Sequence, residues 1–240
     1  MSWKLLDLFC GAGGCSMGYH KAGFEVTGCD INPQPNYPFE FYKADALSFD
    51  LSGFDVIHAS PPCQQYSVLA HLSRQSHKKL IDPVRELLKA SKKHYIIENV
   101  PGAPLLKPTM LCGSMFCLST LNGAQLRRHR IFETSFDLEP TPYCEHSKYT
   151  IGVFGNKARD TAAEKRHYSQ SKETRGQPVG IKFTLYDAQV AMGIYWMNFK
   201  ELSQAIPPAY TEWIGNQLIE VLEKEAEKQK LTRQSVPLKK

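Results

Sequence analysis

Long apolar runs are missing from this 240-residue chain. None reaches the roughly 20 consecutive residues that a membrane-crossing helix needs, which excludes a helical spanning protein. The opening residues lack the basic, then apolar, then small pattern of an export signal, because Asp7 interrupts the first apolar stretch after Leu5 and Leu6. The seven cysteines are an odd number, which does not suit a complete disulfide framework. Free thiols in a reducing, intracellular setting are therefore expected. No stretch repeats at a fixed period, so a solenoid or propeller is excluded. A strong excess of one charge is also missing. The net charge of +5 permits a polyanionic partner without demanding one.

What is present suits one sizeable core. Hydrophobic residues make up 42% of the chain and charged ones 22%, the balance of a globular protein. Lys4–Phe9, Phe24–Cys29, Phe39–Tyr42, Phe54–Ala59 and His94–Ile97 read as short strands, and Arg130–Thr134 as a later one. Ser16–Ala22, Pro83–Lys92, Tyr186–Met192 and Ala209 to about Lys228 read as helices. Strands alternating with helices predict an α/β fold with a mostly parallel, doubly wound sheet. Residues 140–182 are rich in Lys, Arg, His, Gly, Ser and Thr, show little periodicity, and read as loops or a small appended lobe.

Chemistry-bearing residues fall at the predicted strand ends, where ligands gather in such folds. Cys63 follows one strand in the turn Ser60-Pro61-Pro62-Cys63-Gln64 and is a candidate nucleophile. Cys10-Gly11-Ala12-Gly13-Gly14 follows the first strand as a flexible turn that lets backbone approach a ligand closely. Asp30, after the second strand, is placed to accept from a ribose diol. Asp45, after the third, could meet the exocyclic amine of an adenine. The turn lacks both the dinucleotide spacing and the Lys-Ser/Thr of a phosphate loop. An adenosine-containing cofactor without phosphates fits better, and S-adenosylmethionine is such a molecule.

Asp7-Leu8-Phe9-Cys10-Gly11-Ala12-Gly13-Gly14, Pro61-Pro62-Cys63-Gln64, Glu98-Asn99-Val100, Arg128-His129-Arg130 and Ala205-Ile206-Pro207-Pro208 stand in the order found in DNA cytosine-5 methyltransferases. The chain resembles that family from residue 3 to about 219. The phrases around Cys112-Gly113-Ser114-Met115-Phe116 and Arg127–Glu133 look like its compact phage- or prophage-encoded members. The resemblance implies a Rossmann-like, class I S-adenosylmethionine-dependent fold acting on double-stranded DNA by base flipping. It implies Cys63 as the thiolate that adds to cytosine C6, Glu98 as the partner of N3 and the 4-amino group, and Arg128 and Arg130 as holders of the base's O2 and the flanking backbone. On a strand, two residues apart, both arginines would face the same way. Phe9, Gly11, Gly13, Asp30, Ile31, Asp45, Ala46, Pro62 and Gln204 would hold S-adenosylmethionine. A monomer in the cytoplasm of a bacterial host is expected, compatible with a cognate restriction enzyme or with protection of a viral genome. Residues 1–139 would form the catalytic and cofactor-binding core, 140–182 a short target-recognition segment, 183–229 C-terminal helices returning to the core, and 230–240 a frayed tail.

Some positions depart from the family pattern. Leu126 stands where a Gln is usual, Ser203-Gln204 where Gly-Asn is usual, and Asp30 where Glu is common. The target-recognition segment is short, which predicts a short or relaxed DNA site, since each good base contact discriminates by only about 1–3 kcal/mol. Arg159, Lys165, Arg166, His167, Lys172, Arg175 and Lys182 would supply phosphate contacts. A basic loop from Gln64 to Lys79 would close over the base. Cys112, Cys117, Cys144 and His146 could furnish four zinc ligands, but their spacing is looser than in common zinc modules, so free thiols and no metal are the expectation. Competing readings are a tRNA cytosine-5 methyltransferase, a modified sulfonium cofactor, and a catalytically silent DNA-binding scaffold.

Overall fold

The computed structural model describes residues 2–63, 79–139, 141, 143–146, 149–155, 157–160 and 183–234. Strand β1 (Lys4–Leu8) is buried from Leu5 onward. Strands β4 (Val56–Ala59) and β5 (His94–Asn99) are nearly as completely enclosed. Strands so continuously buried and mainly apolar belong inside a sheet covered on both faces. Successive residues divide between those faces: Leu6, Ile57 and Ile97 enter one core, Leu5, Val56 and Ile96 the other.

The main sheet has seven strands in the order β3-β2-β1-β4-β5-β8-β6, where β2 is Glu25–Asp30, β3 Glu40–Lys43, β6 Thr109–Leu111 and β8 Arg130–Thr134. The first five are parallel, and β8 runs antiparallel to both β5 and β6. Helix α2 (Ile81–Ser91) covers one face with Ile81, Val84 and Leu88. Helices α1 (Gly14–Ala22) and α5 (Pro208–Gln234) cover the other, with Tyr19, Tyr210, Ile214 and Leu218. Strand order reverses between β1 and β4, and the turns carrying Gly11 and Cys63 leave the sheet at that crevice. The expected doubly wound α/β architecture is present.

Two expectations need correction, the end of the last helix and the place of Arg128. Within residues 140–182, read as loops or a small appended lobe, β9 (Thr150–Phe154) and β10 (Lys157–Asp160) form an antiparallel pair, and β9 runs parallel to β7 (Gln125–Leu126) as a second sheet. Gly152 and Gly155 break the apolar pattern in sequence, yet Ile151 and Val153 are buried with Leu126 against helix α3 (Leu185–Met192). Helix α5 runs to Gln234, beyond the expected end near Lys228 and into the stretch taken as a frayed tail. Residues 223–232 bury little, but residues 223–230 are all Glu, Lys, Gln or Ala, which favour helix without packing. Arg128 precedes β8 rather than lying in it, because pairing with β6 begins at Arg130. The alternation rule does not reach back to it.

One buried ion pair fixes β8 to α2. Arg85 Nε and Nη2 donate to Glu133, each at 2.9 Å, and the two side chains are 7% and 3% exposed. The Leu106 amide also donates to Glu133, at 2.8 Å. Removing one member of such a pair strands the other charge. Glu133→Ala should cost about 3–5 kcal/mol of unfolding free energy in urea titrations, whereas a paired Arg85→Met, Glu133→Leu replacement should cost far less. Equal losses for both would contradict this.

Candidate active site

The turn after β1 is conformationally unusual. Phe9 has φ 61°, a left-handed value uncommon outside glycine. Gly13 has φ 85°, and a Cβ there would lie 2.9 Å from Pro38, so neither the backbone nor the space admits a larger residue. Asp30, at the end of β2, accepts from the Gly11 amide at 3.2 Å and from the Asn32 amide at 2.8 Å. It ties the glycine turn to the second strand. Ile31 beside it is 63% exposed, an apolar face open to a ligand's ring. Asp45 accepts from the Leu47 amide at 3.0 Å and so caps its own turn; Ala46 is buried. Helix α4 (Phe199–Gln204) ends with Gln204 exposed, two residues before Ile206, whose carbonyl closes on Gly14. Of the nine residues expected to hold the cofactor, seven thus fall on the turns after β1, β2, β3 and β4, and Asp30 ends β2. Gln204 ends α4, just before the Ala205–Ile206 segment that meets Gly14. An open glycine turn, an acceptor at the second strand end and an exposed apolar residue fit an adenosine-type ligand.

The second half of the site lies across β4 and β5. Pro61 is buried, Pro62 exposed and Cys63 partly exposed. Asn99 Nδ2 donates to the Pro61 carbonyl at 2.9 Å, fixing the turn from the neighbouring strand. Glu98, 5% exposed, stands 3.1 Å from Arg130 Nε through Oε1, a charge contact without hydrogen-bonding alignment. Burial raises the Glu98 carboxyl above its ordinary value, against the opposing pull of Arg130, a Ser60 hydrogen bond and Arg128. Burial likewise raises the Cys63 thiol, opposed by Arg130 and Arg128 and assisted by Glu98. The resting thiol is therefore protonated at neutral pH.

Arg128 is held by main-chain carbonyls. Its Nη1 donates to the Val153 carbonyl, and its Nη2 to those of Ser203, at 2.9 Å, and Ala205. Burial, and then the Arg130 charge, lower its pKa to about 9. The two arginines do not act alike: one meets Glu98, the other is caged by carbonyls.

Sequence reading missed three polar groups here. His58, on β4, bridges Tyr19 and Ser60 at 2.9 Å each, and burial pushes its pKa down to about 3, so it is neutral. Tyr210 donates to the Arg128 carbonyl at 2.6 Å. Asp7, fully buried on β1, accepts from Ser16. An acidic residue inside an apolar strand was the available signal for Asp7; nothing in the sequence marked the other two.

Among the described residues, the buried side-chain atoms without a hydrogen-bond partner are Asp7 Oδ1, Glu98 Oε1 and Arg128 Nε. Unsatisfied buried groups are rare in folded proteins, and these all lie at this site. The zinc-type expectation is redistributed. Cys112, Cys144 and His146 do come together, but the fourth member is His129, while Cys117 stays exposed. Burial would raise the Cys112 thiol, yet hydrogen bonds from His129, the Ser114 backbone and His146 prevail and lower it to about 5. Burial, with Cys112 nearby, raises Cys144. Most of the basic closing loop and six of the seven expected phosphate-contacting residues lie outside the described residues; Arg159 falls on β10.

Asp7 makes stability depend on pH. Burial lifts its pKa from 3.8 to about 7; the Ser16 hydrogen bond opposes this, and Asp30 and Glu98 reinforce it. Folding favours the protonated carboxyl, so its stabilisation is whole below pH 3.8 and is lost as pH rises through 7. Asp7→Asn imitates the protonated form. Relative to the parent, the variant should gain on the order of a few kcal/mol between pH 4 and pH 7. Urea unfolding at three pH values in that window measures it, and a constant difference would refute it.

The chain matches the family model for C-5 cytosine-specific DNA methylase over residues 3–108, a stretch that includes Cys63 and Glu98. It is 30% identical over 122 residues to the type II methyltransferase M.HgiGI of Herpetosiphon aurantiacus, covering 43% of this chain and 95% of that one. It is 32% identical over 112 residues to the type II methyltransferase M.FnuDI of Fusobacterium nucleatum, covering 41% of this chain but spanning only 33% of that relative's length. The fold is similar to that of S. pombe Dnmt2 methyltransferase, with a TM-score of 0.60 over 92% of this chain and 99% of that one at 12% identity. The matched stretch carries the glycine turn, the Pro-Pro-Cys turn and Glu98, and the chain belongs to the C-5 cytosine-specific DNA methylase family.

Proposed function

We propose that this protein transfers a methyl group from S-adenosylmethionine to C5 of cytosine in double-stranded DNA. The observation that carries the reading is Glu98. It is a buried carboxyl of raised pKa with one unfilled oxygen, beside Arg130 and the Pro-Pro-Cys turn. That oxygen suits the N3 and 4-amino edge of a cytosine. A base must leave the duplex to reach it.

The chemistry needs each group in turn. C5 of cytosine is a poor nucleophile until the ring's conjugation is broken. Cys63 loses its proton and its sulfur bonds to C6, while Glu98 hydrogen-bonds N3 and supports the charge that arrives there. Arg130 holds Glu98 in place and favours the thiolate. Asp30, Ile31 and the glycine turn would hold S-adenosylmethionine, which when bound would supply an electrophilic methyl group on its sulfonium. C5 would take that methyl and leave S-adenosylhomocysteine; loss of the C5 proton to a base would then restore the C5–C6 double bond as the C6–sulfur bond breaks and the Cys63 thiolate departs. Arg128 positions this machinery through its carbonyl contacts rather than by touching the base.

The division of the chain follows the same reading. Residues 140–182, with β9 and β10, would read the DNA, and their small number supports a short target site. A monomer in a reducing bacterial cytoplasm suits a free catalytic thiol.

Incubation with unmethylated duplex DNA and methyl-labelled S-adenosylmethionine, followed by nucleoside analysis, tests the proposal. 5-Methylcytosine should appear, in short sequence contexts. Cys63→Ala should abolish it with cofactor binding retained, and Glu98→Gln should slow it by about 10²–10⁴-fold. Label in RNA but not DNA, or product from Cys63→Ala, would overturn the assignment.

A further inference from the structure

The cluster around His129 has no part in the chemistry above, yet its geometry is specific. Cys112 ends the segment after β6, at the entry to the 3-10 turn Gly113–Phe116. His129 stands between Arg128 and Arg130. Cys144 and His146 lie on the segment that leaves β8. One ligand atom from each of the four lies within 4.8 Å of every other. Cys112 Sγ is 3.3 Å from His146 Nε2, and Cys144 Sγ is 3.2 Å from both His129 Nε2 and His146 Nε2. Tetrahedral zinc with bonds of about 2.3 Å to sulfur and 2.0–2.1 Å to nitrogen would hold sulfur and nitrogen ligands about 3.6 Å apart. The observed spacings need only a small outward adjustment. Ser114 Oγ donates to Cys144 Sγ at 3.6 Å, an outer contact of the kind that orients a thiolate ligand.

We propose that Cys112, His129, Cys144 and His146 bind one structural zinc ion. Two thiolates and two imidazoles in a tetrahedral set suit zinc above harder cations. Four protein ligands leave no open position, so the ion is structural rather than catalytic. Its place in the fold gives it a purpose. It would staple the start of residues 140–182 to the sheet and fix the lead-in to β8. Because His129 is flanked by both arginines, the metal would hold Arg130 toward Glu98 and Arg128 toward its carbonyls. The proposal stands on this geometry whether or not the methyl-transfer reading holds.

Elemental analysis of the whole protein, purified without chelators or metal-affinity resin, tests it directly. About one zinc per chain is expected. Cobalt loaded into the stripped protein should give the intense thiolate-to-metal absorption of a tetrahedral site. His129→Ala and Cys144→Ala should lose zinc, while Cys117→Ala should keep it. The cobalt spectrum of the parent protein decides the matter even where a variant fails to fold. Four results would each overturn the proposal: no metal and no cobalt band; iron or copper in place of zinc; a Cys112–Cys144 disulfide, read as a mass two hydrogens lighter; or zinc lost from Cys117→Ala but kept by His129→Ala.

Discussion

The guanidinium of Arg128 is the interaction on which the rest of the site depends. It is 5% exposed and faces no carboxylate at hydrogen-bonding distance among the described residues; its charge is met by backbone carbonyls of Val153, Ser203 and Ala205. Those carbonyls come from the second sheet, from the last turn of α4 and from the segment joining α4 to α5. The Arg128 carbonyl in turn accepts from Tyr210, on α5. One residue thus connects the lead-in to β8, the β9–β10 sheet and the C-terminal helix. A buried charge held only by carbonyl dipoles tolerates little displacement, because losing a partner exposes its full desolvation cost. The arrangement fixes where β8 begins, and so where Arg130 meets Glu98.

The polar groups at the strand ends form one connected arrangement. His58, kept neutral by burial, reaches from Tyr19 to Ser60, while Asn99 holds Pro61. The Pro-Pro-Cys turn is thereby anchored from both β4 and β5. Glu98 and Cys63 are both raised by burial and both opposed by the arginines. Burial thus pushes both groups toward their protonated forms, while the neighbouring arginines favour the ionised ones. Such opposed influences are common where a group must change protonation during a reaction.

Much of this was legible in the sequence, for a physical reason. Parallel strands buried on both faces write themselves as mainly apolar runs, and Leu5–Leu8, Val56–Ala59 and Tyr95–Ile97 do so apart from Asp7 and His58. The carboxyl edge of the sheet lies where those runs stop, so Asp30, Cys63 and Glu98 could be placed there from order alone. What could not be read depends on contacts distant in sequence. The direction of Arg128 is set by carbonyls 25 to 77 residues away, and a main-chain acceptor leaves no residue signature. His129 was hidden between two arginines that drew attention first, and the exposed Cys117 took its place in the expected cluster. The cap that Asp45 places on its own turn was equally unmarked, because it requires no distinctive partner.

The central claim is that Cys63 bonds covalently to a cytosine. Duplex DNA carrying 5-fluorocytosine tests it most directly, since fluorine at C5 cannot leave as the proton does and the adduct should stall after methyl transfer. With S-adenosylmethionine present, a complex resistant to denaturant should accumulate, and peptide mass analysis should place the nucleotide on Cys63. Methylation of ordinary cytosine with no trapped complex, or a crosslink on any other residue, would contradict the account.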